Sequence, residues 1–261
     1  MDLSNDVVIH VKNKKIEYLQ FRKLLELNIN HAYTLKTEGY NFNRKYNPEL
    51  ASKSFEVLCS ELNMDYKNLV RPYQRHTDRV ECVDNVSDIS EEDGIDGVLT
   101  DKKGISLATT NGDCILYLVY DPKRNVIGSI HSGWRGTYAR IIEKTIDIMK
   151  KEYNSNEEDI LIFICPSIRK CHFEVESDVK NMFEERFSFL GDLSNIILKS
   201  EVEGKYYIDT VGLNNILLMN KGIRKENIYD SNICSVCNKE LVGSYRAEGV
   251  NFTGATAIIC L

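Results

Sequence analysis

Histidine is scarce in this 261-residue chain, present only as His10, His31, His76, His131 and His172. Imidazole is the main protein ligand for copper, and a type 1 copper plus a three-copper cluster needs on the order of ten of them. Five cannot build such a site. Proline is rarer still, at Pro48, Pro72, Pro122 and Pro166, and no Pro/Gly-rich linker, repeat or low-complexity tract divides the chain. One catalytic domain over residues 1–261 is expected, with the acidic stretch Ser87 to Gly94 as the best tether candidate. A basic excess is also lacking, since 33 Lys+Arg against 39 Asp+Glu leave a net charge of −6. This argues against nucleic acid as a partner but leaves room for one local basic pocket that takes a small anion. No apolar run reaches the ~18 residues of a membrane span. Met1 to Lys12 has neither the basic head nor the apolar stretch of a signal peptide. A cytoplasmic chain with no membrane partner is expected, its eight cysteines being reduced thiols rather than the disulfide framework of a short secreted protein.

What the chain does have is enough apolar residue, 43%, to bury a sizeable core. Strand-like alternation marks residues 6–11 and 15–20, and β-branched or apolar runs mark Val80–Val86, Gly97–Leu99, Ile105–Thr109, Ile115–Tyr120, Val126–His131, Ile160–Cys165 and Ala255–Cys260. Helical spacing of Ala51, Phe55, Leu58 and Leu62 predicts a helix opened by Pro48 and capped by Asn47. Thr137 is read as the cap of a helix with Ile141, Ile142, Thr145, Ile146 and Met149 on its inner face. Further helices are expected near Ser177–Phe187 and from Asp209 to Asn220, with Gly222 as the exit. Strands clustered in the middle with helices between them favour an α+β fold over a strictly alternating parallel sheet.

Three segments place metal-capable side chains at strand ends. They are Gln74-Arg75-His76-Thr77-Asp78-Arg79-Val80, Asn111-Gly112-Asp113-Cys114, and His131-Ser132-Gly133-Trp134-Arg135-Gly136. Two imidazoles and one thiolate suit Zn²⁺, and three protein ligands leave a fourth position for water or substrate. Cu²⁺ competes at such a set, because it binds nitrogen and sulfur donors more tightly. The turn after His131 aims backbone amides at a helix start, where Arg135 can add a bidentate contact to an anion. Asp113 is a candidate proton relay or a partner for a ligating imidazole. Cys171, in a motif after a probable strand, is read as a second thiol of the pocket or as a small buried apolar residue. Cys234-Ser-Val-Cys237 would need a second pair near it to hold zinc, or a strand-to-helix setting for redox work, and the sequence shows neither. His172 is given no role, and His10 and His31 are taken as incidental. The first ~45 residues carry no chemical signature.

The pattern His131-Ser-Gly-Trp-Arg-Gly136, with Gln74-Arg-His-Thr-Asp-Arg-Val80 upstream, resembles a known family. It is variously called multicopper polyphenol oxidoreductase (laccase) domain, purine nucleoside phosphorylase or peptidoglycan editing factor. Asp96-Gly-Val-Leu-Thr100, Asp113-Cys114, the run Pro166 to Val175, Asp209, Asn215, Cys234 and Ser244-Tyr245-Arg246 extend the match in order from about residue 70. The resemblance implies mixed β-sheets packed as a sandwich with helices outside, and His76, Cys114 and His131 as ligands of a catalytic zinc. It also implies phosphorolysis of adenosine and inosine to free base and ribose 1-phosphate, action on methylthioadenosine, and some adenosine deamination. Purine nucleoside and phosphate are then the partners of a monomer or weak homodimer. Within that frame Cys114, Asp113 and Arg135 are the catalytic candidates. Arg75, Arg246, Tyr245, Gly133 and Trp134 are the candidates for substrate contact. The chain departs from the family pattern at Gly112, Leu116, Cys165, Ala247 and Ala255, where alanine, proline, glycine and two arginines are usual. Two alternatives stand beside this reading. One is a cysteine-type hydrolase editing peptidoglycan precursors with Cys114 as nucleophile; the other is a phenol oxidase using bound copper.

Overall fold

Two large sheets form from different parts of the chain. The structure, a computed structural model, describes residues 1–12, 14–90 and 94–261. The first sheet joins strands from the two ends of the chain to two inner ones, in the order β1 (Val8–Val11), β2 (Tyr18–Phe21), β3 (Asn30–Thr34), β15 (Ala255–Cys260), β7 (Ser106–Asn111) and β4 (Leu69–Val70). The second is built from the middle, in the order β14 (Ile228–Asp230), β10 (Leu161–Ile164), β8 (Ile115–Asp121), β9 (Val126–Ser132), β6 (Gly97–Thr100) and β5 (Val80–Cys82). A third, small antiparallel sheet is ordered β11 (Glu174–Glu176), β13 (Lys205–Ile208), β12 (Ile197–Lys199).

β8 and β9 are buried at every position. A strand with one solvated face alternates apolar and polar, so an unbroken apolar run requires cover on both sides. The first sheet covers one side. Leu116, Leu118 and Tyr120 of β8 share a core with Leu19, Phe21, Tyr33, Leu107 and Ile259. Ile115, Tyr117 and Val119, on the other face, meet helix α4 (Ile141–Tyr153) through Ile142, Ile146 and Met149, and helix α6 (Thr210–Asn220) through Val211 and Leu218. Helix α2 (Pro48–Glu61) packs Phe55, Leu58 and Cys59 on the outer face of the first sheet, against Ala32, Ala108 and Ile258. The architecture is therefore helix, sheet, sheet, helix. Each fully buried large apolar side chain contributes roughly 1.5–3 kcal/mol by leaving water. Helix α5 (Ser177–Arg186) closes the small sheet through Phe183, beside Phe187 and Ile208. Two short helices, α1 (Arg22–Glu26) and α7 (Tyr245–Glu248), complete the set with α3, described below.

The expected α+β sandwich with outer helices is what forms. Asn47 accepts the Leu50 amide at 3.0 Å ahead of Pro48, and Asp209 accepts the Gly212 amide at 2.8 Å, so both predicted caps hold. Thr137 is not a cap. It lies buried inside α3 (Trp134–Tyr138), whose N-cap is Gly133, and Arg140 in the left-handed region (φ 64°) separates that single turn from α4. The run from Val80 is a strand only to Cys82, because its parallel partner β6 pairs no further than Leu99. β3 has no counterpart among the expected strands; its Asn30 and His31 interrupt the apolar pattern. Of the tether candidate Ser87–Gly94, residues 91–93 lie outside the described ones. No helix among the described residues is long and apolar enough to cross a membrane. All eight cysteines are free thiols.

Candidate metal centre

The end of β9, the turn from β7 to β8 and the loop before β5 meet at one end of the sandwich. They bring His131, Cys114 and His76 together, with one donor atom from each lying within 4.8 Å of the others. The two imidazole rings stand at 88° with centroids 4.8 Å apart, and Cys114 Sγ is 3.7 Å from His76 Nε2. His131 is buried, Cys114 half-buried and His76 exposed, which grades the cluster from core to cleft.

Asp96, fully buried at the start of β6, holds this geometry. Its Oδ1 accepts from His131 Nδ1 at 2.7 Å and from the His76 amide at 3.0 Å. Its Oδ2 accepts the amides of Arg75 (3.1 Å) and Thr77 (2.8 Å) and the Thr77 hydroxyl (2.7 Å). Three successive amides around one carboxylate form an anion nest. That nest holds His76 in the left-handed region at φ 59°, which costs a non-glycine residue about 1 kcal/mol. The bond to His131 Nδ1 fixes the tautomer, so Nε2 faces the cluster, as in the carboxylate–histidine arrangement of metal sites. Asp96 was legible only as part of a family pattern. An Asp-Gly before a strand otherwise reads as a turn, and nothing local shows that its carboxylate is aimed at the loop twenty residues earlier.

Burial alone would raise the Cys114 thiol. The charge and hydrogen bond of His131, with a further bond from His76, instead bring it down to about 6. Burial disfavours the His131 imidazolium, but the Cys114 sulfur and Asp96 carry it up to about 9. Burial raises Asp96 less than the His131 bond and charge and the Thr77 contacts lower it. The imidazoles thus bias the Cys114 sulfur towards the thiolate, the form that ligates a metal. Gly133 makes room for the set. A Cβ there would stand 2.6 Å from His76 Cδ2 and 3.1 Å from Cys114 Sγ.

The cluster forms the floor of a cleft of about 440 Å³, a volume in the range of small-molecule sites. Aromatic rings of Tyr46, Tyr73, Trp134, Phe173, Tyr245 and Phe252 line it, with Arg44, Lys45 and Arg246 as its cations. Asp113 is the one carboxyl on the lining among the described residues. Its Oδ1 accepts the hydroxyls of Ser235 (2.5 Å) and Ser244 (2.8 Å), and its Oδ2 accepts the Arg246 amide (2.6 Å). Burial raises its pKa against those three bonds. Arg246 Nη1 donates to the His172 carbonyl at 2.8 Å.

Trp134, Tyr245, Asp113 and Arg246 line the cleft. Arg75 and Arg135 do not line it. Arg75 lies over the Tyr73 ring at 5.0 Å, and Arg135, exposed, over the Trp134 ring at 4.2 Å, at the margin. The helix start beside Arg135 is a five-residue turn, too short for a sizeable dipole. Beside Arg246, the cations at the site are Arg44 and Lys45, in a stretch with no motif to mark it. Gly112 is explained by space, since a Cβ there would fall 2.0 Å from the Phe252 ring. His10 and His31 take part in folding. His10 Nε2 pairs with Glu17 at 2.9 Å, and His31 Nε2 accepts the Phe21 amide at 2.7 Å while its Nδ1 donates to the Ile29 carbonyl.

The chain is thus a helix-flanked double-sheet protein with a candidate three-donor imidazole–thiol metal site on its cleft. A family model described as multi-copper polyphenol oxidoreductase laccase matches residues 35–261, and the chain belongs to that family. Solved structures of YfiH from Bacillus licheniformis (TM-score 0.86, 24% identity, 97% of this chain and 98% of that one) and YlmD from Geobacillus stearothermophilus (0.84, 20%, 98% and 99%) share the fold. Among curated relatives, a purine nucleoside phosphorylase of Clostridium acetobutylicum is 30% identical over 90% of this chain and 93% of its own length. An adenosine deaminase, RL5, from an unknown prokaryotic organism is 30% identical over 76% and 78%. A purine nucleoside phosphorylase of Bacteroides thetaiotaomicron is 33% identical over 60% of this chain, a match that spans 57% of that protein.

Proposed function

We propose that this chain is a zinc-dependent purine nucleoside phosphorylase, with His76, Cys114 and His131 as the metal ligands. The observation that carries the reading is the convergence of these three donors on the floor of a cleft lined by both cations and aromatic rings. The donor set fits the ion: two borderline nitrogens, one thiolate, a carboxylate behind His131, and space that a Cβ at Gly133 would fill. His76, Cys114 and His131 would hold the metal, which would supply Lewis acidity towards an oxygen of phosphate or substrate. Arg246, Lys45 and Arg44 hold the phosphate, with Arg135 at the rim, and the ring of aromatic side chains receives the purine. One phosphate oxygen bonds to the anomeric carbon as the bond from that carbon to the purine nitrogen breaks, and the electron pair leaves with the base. Asp113, the carboxyl on the wall, passes the departing base its proton. Ser235, Ser244 and the Arg246 amide hold Asp113 in place, so the same carboxyl sets the position of the phosphate-binding arginine. Holding both substrates in one cleft removes roughly 7–11 kcal/mol of barrier in favourable cases. Methylthioadenosine fits the same scheme, and adenosine deamination is a second reaction of the same pocket.

The test is adenosine plus phosphate, with and without a chelator. Phosphate-dependent release of adenine and ribose 1-phosphate, lost on chelation and restored by Zn²⁺, is expected. Full turnover by metal-free protein, or none with metal bound, contradicts the proposal. One observation favours a second reading: Cys114, His131 and Asp96 are ordered as a thiol nucleophile, its base and the base's orienter. A cysteine hydrolase would keep its activity in a chelator and lose it to a thiol alkylator.

A further inference from the structure

A second thiol–imidazole cluster lies outside the cleft. Ser167, beyond the end of β10, bridges Cys234, beyond the end of β14, in parallel register. The Ser167 amide donates to the Ile233 carbonyl (3.2 Å) and the Ser235 amide to the Ser167 carbonyl (3.0 Å). Two loops distant in sequence are thereby laid side by side, and Cys171-His172 of one faces Cys234-Ser-Val-Cys237 of the other. This is the second pair that the sequence does not show beside Cys234 and Cys237. Cys171, expected in the pocket or in the core, is at the surface.

The spacing is that of ligands around one ion. Cys171 Sγ is 3.6 Å from Cys234 Sγ and 3.9 Å from Cys237 Sγ. His172 Nδ1 is 3.2, 3.7 and 3.5 Å from the sulfurs of Cys171, Cys234 and Cys237. A tetrahedron with Zn–S near 2.3 Å and Zn–N near 2.0–2.1 Å has edges of about 3.8 Å between sulfurs and about 3.6 Å between sulfur and nitrogen. The observed distances bracket those values. They are far from the ~2.05 Å of a disulfide. The amides of Arg169, Val236 and Cys237 also bond the Cys234 sulfur, the outer-shell support that a ligating thiolate takes.

We propose that Cys171, His172, Cys234 and Cys237 form a closed structural site for Zn²⁺ that fastens the loop after β10 to the loop after β14. Four protein donors leave no open position, so the site is not catalytic. Its effect reaches the cleft through the chain. The His172 carbonyl holds the Arg246 guanidinium, Phe173 lines the wall, and Ser235 donates to Asp113. The proposal does not depend on what the cleft catalyses.

The experiment measures zinc per chain in the full-length protein purified under reducing conditions, for wild type, Cys237→Ser and Cys114→Ala. The Cys237→Ser protein should carry about one zinc fewer than wild type, and Cys114→Ala should keep the zinc that Cys237→Ser loses. Equal zinc in wild type and Cys237→Ser overturns the site, whereas loss in Cys114→Ala alone concerns only the cleft. Should Cys237→Ser fail to fold, wild type decides by alkylation and peptide mapping. Zn²⁺ should slow modification of Cys171, Cys234 and Cys237 by at least about tenfold relative to chelated protein. Equal rates with and without Zn²⁺ overturn the proposal.

Discussion

The chain builds two clusters from the same side-chain types and gives them different surroundings. In the cleft, three donors meet; a buried carboxylate stands behind one imidazole and holds the loop that carries the other, and the sulfur is half-buried. At the surface, four donors meet, two of the three thiols are exposed, and backbone amides rather than a carboxylate support the buried Cys234 sulfur. The difference lies in donor number and access. Three donors in a roomy cleft would leave a bound ion open to substrate, while four donors on two surface loops would saturate one and only fasten the loops. Asp113 links the two regions, being next to Cys114 in the chain and bonded to the hydroxyl of Ser235, the residue after Cys234.

The sharpest way to separate the clusters is to remove one sulfur at a time. Cys114→Ala should lower phosphorolysis by more than about 10³-fold while the loop metal stays, measured as initial rate beside metal content. A control lies in the core. Burial holds the His31 imidazole down at about 4, and its bond to the Ile29 carbonyl offsets only part of that. Its Nε2 must stay unprotonated to accept the Phe21 amide. The folded pKa is below the unfolded one, so the unfolded chain binds more protons between them. Stability is then full above about pH 6.5 and falls by up to about 3 kcal/mol as the pH drops towards 4. Urea midpoints at pH 7.5 and 4.5 measure this, and a His31→Gln protein should show a smaller acid loss, so that unfolding is not mistaken for acid release of metal from either cluster. Asp96→Asn should weaken metal binding at the cleft by about 10–100-fold, read by chelator competition, and leave the surface cluster's affinity unchanged. Arg246→Ala should raise the phosphate KM by about tenfold while changing the adenosine KM less, and Arg135→Ala, at the margin, should change either by no more than about twofold. A larger effect at Arg135 than at Arg246 would move the phosphate site to the rim.

Much of the scaffold can be read from local pattern. The unbroken apolar run Ile115–Tyr120 of β8 announces two covered faces, and the Asn47 and Asp209 caps announce two helix starts, because both signals lie within a few residues. The donors His76, Cys114 and His131 are visible as metal-capable residues at strand ends, and only the resemblance ties them to one ion. What stays hidden depends on pairing across the chain. The Asp96 nest is formed with a loop twenty residues upstream, Arg44 and Lys45 reach the cleft from a motif-free stretch, and the Cys171-His172 pair meets Cys234 and Cys237 through a parallel bridge with no local signature. Neighbouring residues cannot report those contacts.

Two imidazoles and one thiolate of the cleft are proposed to hold the metal on which turnover depends. X-ray absorption at the zinc edge of the Cys237→Ser protein, in which only the cleft site remains, tests it most directly. One sulfur near 2.3 Å and two imidazole nitrogens near 2.0 Å around zinc are expected, in a protein that still releases adenine from adenosine. A coordination shell with no sulfur, or phosphorolysis persisting with no metal bound, would contradict it.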